Sequence, residues 1–198
     1  ALDRRRAPAV LYAAIAAVVV TTLVSPGVEG HDGATTGARR LPRSAWPPML
    51  TAAFTAAAGL GMFVVSGAWL DDAHGISTVG LGVIAGGYGL VELGASTSVA
   101  TFGDRIGSRR SVLFGLALLG VGIATLLLSQ ESRGLAVTGL LVYLAGFEFA
   151  FVSALTMVTE AAPLARGRAI GVSNAVGTVA RASAVIASGQ LYEAFGMT

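Results

Sequence analysis

The sequence predicts an all-α membrane protein with six transmembrane helices. Of its 198 residues, 54% are hydrophobic and only 12% charged, and the mean hydropathy is +0.74. A soluble domain carries roughly 25% charged residues, which it needs to cover its surface. The apolar residues gather into six runs, at about 8–24, 48–70, 79–101, 111–129, 135–158 and 168–190. Five of these reach the roughly 20 residues that cross a bilayer core as helix, and none alternates as a barrel strand does. Glycine is abundant, at 27 residues, which suits helices whose backbones approach closely in lipid.

The first run, "RRRAPAVLYAAIAAVVVTTLVSP", places basic residues before an apolar core and Ser25-Pro26-Gly27 after it. It reads as a transmembrane helix, with a secretory signal as the alternative; no clear A-x-A cleavage site follows. Residues 25–47 form the longest polar stretch, dominated by Pro, Gly, Ser and Thr, and read as a flexible central loop. The remaining connections are short, at 71–78, 102–110, 130–134 and 159–167, as in a tightly packed bundle. Trp46 and Trp69 fall near predicted membrane boundaries, where an aromatic belt would place them. The small-residue patterns Gly82-x3-Gly86 and Gly167-x3-Gly171 read as helix-packing faces. The chain opens with Ala1 and stops at Thr198 shortly after an apolar run, so it reads as a piece of something longer.

Several chemistries are excluded. There is no cysteine, so disulfides, thiolate chemistry and cysteine metal sites are absent. His31 and His74 lie in predicted loops with no second ligand at metal spacing, so no metal site is expected. All 13 basic residues are arginine, and none forms a run interleaved with aromatics, so no nucleic-acid partner is expected. A phosphate-binding G-x4-G-K-[ST] loop needs a lysine, and there is none. "GLGVIAG", 80–86, imitates a dinucleotide fingerprint, but a polar loop and a spanning helix stand where the fingerprint needs a strand. No cofactor is expected.

Loop arginines set the orientation. One side holds Arg39, Arg40, Arg43, Arg105, Arg109, Arg110, Arg166 and Arg168; the other holds Arg4, Arg5, Arg6 and Arg133. Eight against four places loops 25–47, 102–110 and 159–167 in the cytoplasm, with the triple arginine at 4–6 as the main conflict.

Loop 102–110 carries the most specific signal. In "TFGDRIGSRR", Gly103 and Gly107 permit a tight reversal and Arg109 and Arg110 anchor the interface. The order Asp104-Arg105-Ile106-Gly107-Ser108-Arg109-Arg110 resembles the signature loop of the major facilitator superfamily, G-x-x-x-D-R-x-G-R-R. Ala100 stands where the first Gly is expected, and Ser108 replaces the first of the basic run. Such a weakened copy fits the loop between the eighth and ninth helices better than the stricter copy between the second and third. Downstream, Arg166-Gly167-Arg168-Ala169-Ile170-Gly171 follows an acidic-Pro stretch, similar to the family's entry to its fifth or eleventh helix.

The resemblance implies half of a twelve-helix bundle. Residues 1–24 would be the end of the N-terminal half, 25–47 the central loop, and 48–198 helices seven to eleven, with the twelfth missing. It also implies a secondary transporter of a small solute, with efflux of a drug or sugar the weakly favoured direction. It would alternate between two facing states about a midplane site, in a bacterial inner membrane, with the missing six-helix half as partner. By the same resemblance, Asp104 meets a helix N-terminus of the opposite half, making Asp104, Arg105, Gly107, Arg109 and Arg110 a conformational element rather than a substrate site.

Three charges fall at membrane depth, where they are costly and mark function. Tyr88, Glu92 and Ser96 recur every four residues on one helical face; Glu148 shares a face with Thr156; Asn174, Arg181 and Ser188 recur every seven. Three polar stripes predict a water-accessible cavity. Tyr88, Glu92, Glu148, Asn174 and Arg181 are the candidate proton or substrate pathway. Glu92 or Glu148 would take up and release a proton, and Arg181 would pair with one of them or bind an anionic group; a structural ion pair is the competing reading. A membrane accessory protein without transport, or a defunct fragment, is the alternative function.

Overall fold

The computed structural model describes residues 41–129 and 132–195, apart from the side chains of Asp104 and Phe195. The 8–24 run and residues 25–40 of the central loop lie outside the described residues. What is described is helical: a 3-10 turn, Arg43–Ala45, then α1 (Trp46–His74), α2 (Thr78–Ile106), α3 (Ser108–Leu127), α4 (Arg133–Ala161) and α5 (Arg166–Phe195). All five long helices are long and apolar enough to cross a membrane. "GLGVIAG" lies wholly within α2, with no strand before it.

Four of the five long helices run past both ends of the apolar stretch that predicts them, while α3 starts three residues early and stops at Leu127, two short of 129. At about 1.5 Å per residue, the 29 residues of α2 reach roughly 43 Å, well beyond a hydrocarbon core of about 30 Å. The apolar run marks the part inside hydrocarbon, whereas local caps set where the helix stops. Pro47 and Pro48 open α1, where a missing N–H costs no hydrogen bond, so the helix begins within the stretch read as loop 25–47. Gly75 closes α1 in the left-handed region (φ 59°), donating to the Asp71 carbonyl at 2.8 Å, while Ile76 N–H reaches the Leu70 carbonyl at 3.1 Å. The Ser77 hydroxyl accepts from Gly80 N–H to start α2, and Ser132 accepts from Leu135 N–H to start α4.

The largest correction falls at 102–110. The predicted loop is helix on both sides of one residue, Gly107 (φ 85°, ψ 139°), which caps α2 and α3 at once. Its N–H donates to the Gly103 carbonyl at 2.8 Å and its carbonyl accepts from Ser111 N–H at 3.0 Å. Similarly, 159–167 reduces to residues 162–165 and 71–78 to 75–77. Gly107 has a backbone that side-chain-bearing residues rarely adopt. Gly107→Ala is expected to cost about 1–3 kcal/mol, readable as a lower thermal midpoint in detergent with helix content unchanged.

α4 is the hub. It packs along α3 most extensively, and also against α1 and α2, while α5 lies chiefly on α1. Each of three buried clusters uses α4: Met49, Val158 and Ala169 at one end, Ala52, Val112 and Ala154 in the middle, and Trp69, Leu126 and Leu140 at the other. Trp69 is therefore a core residue, 8% exposed and edge-on to His74 at 4.9 Å, and not part of a boundary belt. His74, read as a loop residue, is the buried last residue of α1. Large apolar side chains such as Phe54, Val79, Val83 and Leu90 remain exposed, as a surface turned to lipid or to further helices would be.

The close helix contacts run through other glycines than those expected. A Cβ at Gly82, Gly86, Gly167 or Gly171 would meet nothing within 4 Å. The α3–α4 seam uses Gly115 and Gly122 on α3 and Gly139 and Gly146 on α4, each pressed against the partner helix. Both pairs recur every seven residues, the period of a seam between two helices.

Candidate functional site

Because the helices alternate in direction, α2 and α4 run the same way side by side. Their facing positions keep a near-constant offset. Gly87 lies under Leu141, Tyr88 shares a pocket with Leu144, and Val99 and Gly103 share a cavity with Thr156 and Glu160. In this register Glu92 on α2 comes opposite Glu148 on α4. The carboxylates lie within electrostatic reach of each other. Glu148 is half-buried and Glu92 is exposed.

Tyr88 lies one turn from Glu92 on α2, its ring 5.9 Å from that of Phe63. Its hydroxyl is buried without a hydrogen-bond partner beside Ser66, whose own hydroxyl donates to the Phe63 carbonyl. Tyr88, Glu92 and Glu148 thus form one group along the α2–α4 seam.

Asn174 and Arg181 do not join it. Both sit on α5, where the Thr178 hydroxyl donates to the Asn174 carbonyl at 2.8 Å and accepts from the Arg181 guanidinium at 3.2 Å. Arg181 thus turns along its own helix rather than toward either carboxylate. Ser188, the last member of that stripe, lines a different space: a cavity of about 470 Å³ between α1, α4 and α5, whose wall is largely apolar and includes Ala57, Met62, Val65, Tyr143 and Leu191. The Tyr143 hydroxyl donates to the Ala58 carbonyl at 2.9 Å, and the Tyr192 hydroxyl donates to Asp72 at 2.7 Å at the same cavity. Phe147, another aromatic of α4, packs on Gly59 and stacks with Phe151.

At the reversal, Arg105, Arg109 and Arg110 are exposed, and the Asp104 side chain lies outside the described atoms. Residues that sequence reasoning left without a role hold this end. The Ser108 hydroxyl donates to the Glu160 carboxylate at 2.6 Å, joining the start of α3 to the end of α4. Ser108 stood out only as a departure from the signature pattern, and Glu160 only as part of the acidic-Pro stretch. Behind them is a cavity of about 130 Å³ bordered also by Ser111 and Ser153, whose hydroxyls are buried without a hydrogen-bond partner. Among the described residues, no three His, Asp or Glu side chains gather as a metal site would require.

Five helices long and apolar enough to span, joined by short turns with a one-residue charged reversal between two of them, define a multi-pass helical membrane protein. The family model of the Major Facilitator Superfamily matches residues 49–198, and the chain belongs to that family. No curated protein and no solved structure matches it. Members of the family are transporters rather than enzymes, so a small-molecule substrate and a lipid surround follow from membership.

Proposed function

We propose that the chain is the C-terminal half of a proton-coupled secondary transporter that moves a small solute by alternating access. The observation that supports the proton reading is that the α2–α4 register brings Glu92 and Glu148 to the same level, within electrostatic reach of each other. Two carboxylates repel when both are ionised, and an apolar surround strengthens that repulsion. A proton is the natural counter-charge between them. Arg181, held by Thr178, is left to meet an anionic substrate group or a residue of the other half.

An N-terminal six-helix half is the proposed partner. It would cover the exposed apolar side chains of α2 and receive the Asp104 reversal. The loops at 25–47, 102–110 and 159–167 are assigned to the cytoplasm by the arginine count, in the inner membrane of a bacterium. Efflux of an apolar drug or a sugar is the direction proposed, and the largely apolar 470 Å³ cavity favours the drug.

The test is transport by the full-length protein in inside-out vesicles under an imposed pH gradient. Solute accumulation that rises with the gradient and collapses with a protonophore is expected. Accumulation indifferent to the gradient would remove proton coupling and leave the family assignment standing.

A further inference from the structure

The cavity between α1, α4 and α5 has a one-sided wall: it can accept hydrogen bonds but has none left to donate. Tyr143, Ser188 and Tyr192 bring the hydroxyls among its lining residues. Each has already given its proton to the protein: Tyr143 to the Ala58 carbonyl at 2.9 Å, Ser188 to the Ala184 carbonyl at 2.6 Å, and Tyr192 to the Asp72 carboxylate at 2.7 Å. The backbone adds no donor. The lining residues lie inside α1, α4 and α5, where each N–H is bonded to the carbonyl four residues before it. Hydroxyl and carbonyl oxygens, by contrast, keep a further lone pair after one bond.

Charge is arranged the same way. Among the described residues, no charged side chain lines the cavity. Asp72 is joined to it through Tyr192, and its carboxylate has acceptor positions beyond the one Tyr192 uses. Arg181 stands one turn before Ala184, but its guanidinium is turned to Thr178, in the direction opposite to the Ala184–Tyr192 wall. The volume of about 470 Å³ falls in the range of roughly 300–1,000 Å³ that holds a drug-sized molecule.

A guest's polar group must therefore be satisfied by acceptors alone. A carboxylate only accepts and a sugar hydroxyl does both, so each would leave lone pairs unmet in an apolar space. An ammonium group donates three hydrogen bonds and accepts none. We propose that this cavity binds an apolar amine in its protonated form, with the hydrocarbon body against the apolar wall and the ammonium toward the Tyr192–Asp72 end. The proposal rests on the transporter reading above and names the class of its solute: neither a sugar nor an organic anion. It leaves Arg181 to a residue of the other half.

The test is binding to purified full-length protein in detergent at neutral pH. Three fluorescent probes share a naphthylbutyl body and differ only in the end group: the primary amine, the carboxylic acid and the β-glucoside. The amine is expected to bind about tenfold more tightly than the other two, which leave buried acceptors unpaired. Ala184→Phe fills the cavity and is expected to abolish amine binding. Leu191→Trp narrows it from a position that is 57% exposed, where a larger side chain has room, so it decides should Ala184→Phe fold poorly. Tightest binding by the acid would overturn the proposal, and its loss in Arg181→Ala would place an anion on α5. Tightest binding by the glucoside would overturn it in favour of a sugar. Equal binding of the three, or amine binding indifferent to both cavity variants, would mean that lipid or a further helix fills the space. Binding is read without a pH gradient, so a failure of proton coupling in vesicles leaves the amine result standing. Amine that binds but is never moved would overturn the transport reading and not the site.

Discussion

Gly146→Ala is expected to lower the stability of the protein by about 3 kcal/mol, the upper range for overpacking a tight interior. A Cβ at Gly146 would strike the backbone nitrogen of Leu119 and lie 2.7 Å from the Gly115 carbonyl oxygen. A neighbouring side chain could rotate away, but main chain can yield only by moving the helix. Separating α3 from α4 would also strip contact at Gly115, Gly122 and Gly139, because the four glycines form one seam. The contrast is Gly82→Ala and Gly86→Ala on α2, where the added methyl meets nothing. Alanine is roughly 1 kcal/mol better than glycine in a helix interior, so those variants should melt at or above the wild-type temperature. Thermal unfolding of the three variants in one detergent checks this. Equal melting for Gly146→Ala and Gly82→Ala would show that the seam is looser than its geometry indicates. Gly59→Ala should fall between them, since there the obstacle is the Phe147 ring, which can turn.

That contrast also marks how far the sequence could be read. Five of the spans were legible because a hydrocarbon core demands a long apolar run, and 48–70 or 135–158 can hardly be anything else. The family was legible because Asp104 to Arg110 is an ordered pattern rather than a composition. Helix ends were not, since they depend on single caps such as Gly75, Ser77 and Gly107, and polar residues tolerate helix once they reach the membrane surface. Nor was helix pairing. Gly82-x3-Gly86 and Gly115-x6-Gly122 both look like packing faces, and only the tertiary arrangement decides which one meets a neighbour. The facing of Glu92 and Glu148 was half-legible: each stood out as a costly charge, but their register depends on α2 and α4 running in parallel. Ser111 and Ser153 carried no signal at all. A serine in a glycine-rich membrane helix draws no notice until its hydroxyl is found buried without a hydrogen-bond partner.

Glu148→Gln is expected to reduce pH-driven transport by about 100-fold, the low end of what a positioned proton-transfer group contributes. Glutamine keeps the shape and hydrogen-bonding reach of the side chain but cannot bind or release the proton. Exchange of solute across vesicles at equal pH does not require net proton movement, so it should persist near the wild-type rate. Loss of both activities would instead assign Glu148 to substrate binding or to packing of the α2–α4 seam. Glu92→Gln is expected to have the smaller effect. Glu92 is exposed whereas Glu148 is half-buried, so fewer of this chain's groups surround and position it. Each single change also removes one of two facing negative charges. The double variant should therefore be no worse than Glu148→Gln alone, because the second substitution has no charge left to relieve. A double variant slowed by the product of the two single effects would mean that each carboxylate carries protons independently. Facing carboxylates would then be two sites rather than one.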